Sequence, residues 1–140
     1  MDGPDPRDAA LEAIRNAFTR TPLHALLALR FSEPADLDPG TVIVEMPVDA
    51  PAFNGSGNLH GGAIATLIDV AAGSCAARAS NFDPLDHSLV TADLHVRYLG
   101  RPKASPVRAE ARVMRSGRML IVVEVRVLDP LDNLIAFADF

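Results

Sequence analysis

The stretch from His60 to Ser80, HGGAIATLIDVAAGSCAARAS, constrains the fold more than any other part of the chain. It opens on two glycines and runs on to Ala77 with small or apolar side chains, Asp69 being the one acid. Ile64, Leu67, Ile68 and Ala71 recur at helical spacing and form a core stripe, so residues 61–78 are predicted to be one long helix. The run is too short, too rich in Gly and Ala and too interrupted by Asp69 for a membrane span. A helix of this kind needs other elements to cover its stripe, and alternating segments elsewhere supply them.

Residues 41–48, TVIVEMPV, alternate and are β-branched, which predicts a strand before the helix. After it, Val90, Ala92, Leu94, Val96 and Tyr98 alternate with polar residues over 88–99, predicting a half-buried strand. Segments 105–115, 119–128 and 134–140 alternate likewise, with turns at SGR and DPLDN. Short turns between successive strands imply an antiparallel meander. The expected architecture is α+β, a sheet wrapped around one long helix, in a single domain over 1–140. Residues 1–22 form a helical extension, with an amphipathic helix over 8–20 (Ala9, Ala10, Ile14, Ala17 and Phe18) ended by Pro22. The segment from Pro22 to Phe31 continues as a helical turn leading into a short strand.

The chain has 140 residues, 49% of them hydrophobic, and a formal charge of −5, which speaks for a globular protein and against nucleic acid as a partner. Arg97, Arg101, Lys103, Arg108, Arg112, Arg115 and Arg118 nevertheless lie close in sequence. They are either solvated strand faces and turns or a local patch for a small polyanion. Cys75 stands alone and reads as a small core residue. With no signal-peptide pattern at the N-terminus, a cytoplasmic location is the expectation. His24, His87 and His95 lack metal-ligand spacing, so no metal site is expected.

Two features of the helix point to chemistry. Its first N–H groups have no partner within the helix, and Gly61 and Gly62 leave them open to approach. With the helix dipole, they suit a negatively charged oxygen, unless the glycines serve only a tight turn. No Ser, Thr or Asp directly precedes the helix, and Asn58 is the candidate cap. Asp69 has only small neighbours, Ala65, Thr66, Ala72 and Gly73, and so faces a shallow trough. A buried carboxylate persists with partners, with solvent or for function. Gly61 and Asp69 lie eight residues apart, or about 12 Å along a helix. Reacting atoms must meet at roughly 3–3.5 Å. If both groups act on one substrate they come from two chains, as in a two-fold dimer with antiparallel helices.

The run NGSGNLHGGAIATLIDVAAGS resembles the signature of the hotdog-fold acyl-CoA thioesterases, in particular the phenylacetic-acid-degradation type. Asn54, then His60–Gly61–Gly62 six residues later, then Asp69 nine after the histidine, match in type and spacing. LDPG before the first strand, VTADLHVRYLGRP after the helix and LDNLIAFADF fit the family's layout. The resemblance implies a hotdog fold, homodimers often paired into tetramers, and an acyl-CoA substrate with no separate cofactor. It implies that Gly61 N–H and Asn54 polarise the thioester carbonyl and that His60 positions Asn54 or the thioester. Asp69 of the partner chain would be general base or nucleophile, and Thr91 aligns with a Ser/Thr that orients water. Gly62, Arg97, Arg101, Lys103 and Arg118 become candidates to hold the substrate, the cations for the coenzyme A phosphates. The competing expectations are a hotdog hydratase or dehydratase and a non-catalytic acyl-CoA-binding module.

Overall fold

The computed structural model describes residues 3, 5–32, 37, 38, 40–79 and 83–140. Helix α1 (Pro6–Arg20) leads to a short α2 (Pro22–Leu26) and a three-residue strand β1 (Arg30–Ser32). Strand β2 (Thr41–Met46) stops at Pro47, which has no N–H to extend a ladder. Helix α3 (Gly61–Ala79) follows, and then β3 (His95–Tyr98), β4 (Val107–Ser116), β5 (Ile121–Leu128) and β6 (Leu134–Asp139). All six strands form one antiparallel sheet in the order β1-β2-β4-β5-β6-β3.

Helix α3 lies across β2, β4 and β5. Ile64, Leu67, Ile68 and Ala71 are buried, as their spacing predicts, together with Ala72, Cys75 and Ala76. The facing side of the sheet carries one register row of Val44, Ala109, Val127 and Ala136, all buried. Alanines at 109, 111, 136 and 138 leave room for the helix to come close, and its own alanines do the same from the other side. Burial pushes the Cys75 thiol above its usual range, as suits an inert core residue.

Two strand expectations change. The segment 88–99 keeps ladder pairing only over His95–Tyr98. Its alternating apolar set is covered only in part: Val90 is 85% exposed and Ala92 is exposed, while Leu94 and Val96 are half-buried against the core. Nor is the sheet a simple meander. β1 and β2 are neighbours and β4, β5 and β6 follow one another, while β3 crosses to the far edge and pairs with β6. The exposed residues Val90 and Ala92 precede the paired strand, whereas Val96 within it packs on the core.

Among the described side chains of the N-terminal helix, the one packed on the rest of the fold is Phe18 at its end. Ala9 and Ala17 are exposed, and the side chains of Ala10 and Ile14 lie outside those described. Phe18 packs on His24 at 4.7 Å and on Phe31 at 4.6 Å, and His24 Nδ1 donates to the Phe18 carbonyl at 3.1 Å. Among the described residues no helix is long and apolar enough to cross a membrane.

Candidate functional site

His60 has a role in this fold that its residue type does not advertise: it caps α3. Gly62 N–H donates to His60 Nδ1 at 2.8 Å, which is the geometry of a side-chain N-cap. An acceptor at Nδ1 places the ring proton on Nε2. The main chain of His60 is equally engaged. Its N–H donates to the Ala52 carbonyl, and its carbonyl accepts from Ala63 N–H and Ile64 N–H. Glycine at 62 is what lets the ring fold over the helix end, because a Cβ there would sit 3.0 Å from Nδ1 and 3.2 Å from Cε1. The cap is therefore His60 and not Asn58, and the Gly62 N–H expected to face substrate is already committed.

These bonds leave the Gly61 N–H as the one donor of the first turn without a partner among the described residues. Asn54 supplies a second. Its Oδ1 accepts from Ser56 N–H, Ser56 Oγ–H and Asn58 N–H at 3.0–3.1 Å. Three donors on Oδ1 settle which end of the amide is oxygen, and Nδ2 is left to donate outward. The loop that holds Asn54 is closed by the Phe53–Leu59 bridge, with Gly57 at φ +78°. Asn54 and Gly61 both line a cleft of about 480 Å³, together with Phe53, Ile64, Tyr98 and Arg101.

Asp69 and Thr91 do not line this cleft. Asp69 is half-buried on α3 and accepts a hydrogen bond at Oδ1 from Thr91 Oγ1, 2.7 Å away. The chain thus carries two separate groups: Asn54, His60 and Gly61 at the start of α3, and Asp69 with Thr91 two turns on. Tyr98 joins the first group, and the residue pattern did not single it out. Its hydroxyl donates to the Gly61 carbonyl at 2.9 Å.

The basic residues do not make one patch. Arg108 hydrogen-bonds Glu110, Asp132 and the Asp129 carbonyl, and Arg112 stands opposite Glu124 in the register. Arg108, Glu110, Arg112 and Glu124 line a larger recess of about 550 Å³ on the outer face of the sheet, where Arg and Glu oppose each other across strands. That recess holds none of Asn54, His60, Gly61, Asp69 and Thr91, and its charges offset one another. Arg101 lines the cleft and Lys103 follows it, exposed. Arg97 alternates with Val96 and Tyr98, which face α3, and so points to the outer side of β3. Arg118 sits in the β4–β5 turn, at the end of the sheet away from Gly61.

The segment bearing Arg101 and Lys103 is anchored by Asp129, which is fully buried. Burial pushes its carboxyl up. Hydrogen bonds from the Asn133 side chain and from the N–H groups of Lys103, Asn133 and Leu131 outweigh that and hold it at about 2. A folded-state value below the unfolded one contributes stability that is present above the unfolded value and lost as pH falls through the folded one. Asp129→Asn should therefore destabilise at pH 6, and the gap to wild type should narrow between about pH 4 and pH 2. Urea unfolding at both pH values measures this; a gap independent of pH would contradict it.

The comparisons with known proteins agree with this architecture. The Thioesterase superfamily model matches residues 56–136, more than half the chain. A Halobacterium salinarum protein whose name provisionally designates it an esterase is 35% identical over 136 residues, covering 95% of this chain and 86% of the relative. Zebra fish thioesterase superfamily member 2 superposes with a TM-score of 0.75 at 26% identity, covering 92% of this chain and 91% of that one. A mutant thioesterase of Pseudomonas aeruginosa shares the fold, with a TM-score of 0.79 at 23% identity, covering 99% of this chain and 91% of that one. One long helix wrapped by an antiparallel sheet is the hotdog fold, and the chain belongs to the thioesterase superfamily as an enzyme of the thioester-hydrolase class.

Proposed function

We propose that the protein hydrolyses acyl-coenzyme A thioesters at two equivalent sites, each shared between the chains of a homodimer. The observation that carries this is the division of the chemistry within one chain. Among the described residues the cleft is lined by no carboxylate, and Gly61 N–H and Asn54 Nδ2 stand in its wall as donors without a partner. The carboxylate, Asp69, is held by Thr91 about 12 Å further along the helix. An antiparallel pairing of α3 helices brings each acid to the other chain's donors. The open edge at β3 and the uncovered Val90 support a second copy on that side.

In this scheme the thioester carbonyl oxygen accepts from Gly61 N–H and Asn54 Nδ2. The two bonds into the His60 carbonyl polarise the peptide that carries the Gly61 N–H. The partner's Asp69 takes a proton from a water molecule, and Thr91 fastens its Oδ1 so that Oδ2 faces that water. Hydroxide adds to the carbonyl carbon, the oxyanion stays on the two donors, and collapse breaks the C–S bond. Coenzyme A leaves as the thiolate and takes up the proton held by Asp69, which restores the base, and the acid product gives its own proton to solvent and departs as the carboxylate. No cofactor takes part. Arg101 and Lys103 meet the coenzyme A phosphates. Arg97 and Arg118 lie away from the cleft of their own chain and could reach only the site of another. The spacing of Asn54, His60 and Asp69 favours the phenylacetic-acid-degradation type, with pairs of dimers as tetramers in the cytoplasm.

The test is thiol release from a panel of aryl-acetyl, medium-chain and long-chain coenzyme A thioesters. Turnover is expected, with KM raised when the 3′-phosphate is removed. Tight binding without thiol release would instead mark a binding module, and hydration of an enoyl thioester a hydratase.

A further inference from the structure

We infer that Tyr98 is a positioning residue for the carbonyl-polarising donors, an inference that rests on the thioester hydrolysis proposed above. The peptide between Gly61 and Gly62 is gripped at both ends. Its carbonyl accepts from Tyr98 Oη–H at 2.9 Å, and its N–H donates to His60 Nδ1 at 2.8 Å. The helix ladder already uses a carbonyl at this position. The hydroxyl is therefore not needed to satisfy it, and Tyr98 is 54% exposed, so water could serve the hydroxyl equally well. What the bond adds is orientation. With one peptide plane fixed, the neighbouring Gly61 N–H has little freedom left. The Tyr98 ring also lies against Gly61, since a Cβ there would be 3.4 Å from Cζ and from Oη.

Topology explains why a strand residue does this. Tyr98 is the last residue of β3, paired with Ala136, and its side chain faces α3. The chain then continues to Arg101, which lines the same cleft. Tyr98 thus ties the outermost strand of the sheet to the oxyanion end of the helix. Beyond it, on the same strand, lies the edge at which a second copy would pair.

Tyr98→Phe removes the hydroxyl and keeps the ring. It is expected to lower kcat at least about tenfold with KM within about twofold, because misplaced donors lose the transition state more than the substrate. Thermal unfolding should remain close to wild type. Amide NMR of the same protein should show the Gly61 and Gly62 resonances shifted and faster exchange at Gly62. Gly62→Ala, which pushes the His60 ring away, should displace the Gly61 resonance as well. A rise in KM alone would make Tyr98 a wall of the cleft, and unchanged kcat with unchanged Gly61 and Gly62 resonances would overturn the positioning role. If wild type released no thiol, the proposed hydrolysis would fail, while the two glycine resonances would still decide whether Tyr98 sets the peptide.

Discussion

Asp69→Asn is expected to lower kcat about a thousandfold while the protein stays folded and assembled. Asparagine has nearly the same shape, and its side-chain oxygen can still accept from Thr91, which now donates to Oδ1 at 2.7 Å. It cannot take a proton from water. The surroundings tolerate the change, because Ala65, Thr66 and Gly73 next to the acid are themselves only partly buried. Steady-state hydrolysis with a thermal melt on the same preparation is the check. Near-normal turnover would remove Asp69 from the chemistry, and a collapsed melt would make it a structural acid.

The second large effect is expected at Asn54. Removing one oxyanion donor costs about 10²–10³ in kcat, and Asn54→Ala should fall in that range. The same change also takes away the acceptor of three hydrogen bonds that close the loop over 54–58. Asn54→Asp separates the two effects. It keeps an oxygen where Oδ1 is, so the loop holds, but replaces the outward donor by an acceptor. A loss at least as large as in the alanine variant, with native loop resonances, would assign the effect to the donor. Full activity in Asn54→Asp would show that only the turn matters.

Much of this was legible in the residue pattern, for identifiable reasons. α3 announces itself because its apolar stripe has helical period and Gly61 and Gly62 mark its start. β2, β4 and β5 alternate because one face of each meets α3, as Val42, Val44, Ala109, Val125 and Val127 do, and β6 buries Ala136 and Ala138 in the same core. What failed depends on neighbours that a sequence does not display. The segment 88–99 alternates like its fellows, yet only His95–Tyr98 joins the sheet, at its edge, and Val90 before it lies open. Arg108 and Arg112 could be read as solvated strand faces or as part of a polyanion patch, and the fold decides it by setting Asp132 beside Arg108 and Glu124 opposite Arg112, while Glu110 neighbours Arg108 on β4 itself.

The site shows the same division. Asn54, Gly61 and Asp69 stood out by type and spacing. His60 as cap of α3 did not, because a histidine is not among the usual capping residues and only the geometry shows Nδ1 receiving the Gly62 N–H. Tyr98 was invisible for a related reason. An aromatic at a strand end is ordinary, and only the crossover of β3 to the far edge places its hydroxyl on the Gly61 carbonyl.

With the site shared as proposed, neither chain alone holds a complete one, and mixing of subunits decides it. In a heterodimer of Asn54→Ala and Asp69→Asn chains, one site collects both substitutions and the other is wild type throughout. Random exchange of equal amounts should then restore about one quarter of wild-type activity from two inactive parents. If Asn54 and Asp69 serve the same site within one chain, every site keeps one lesion, and proven exchange without recovered activity would contradict the account.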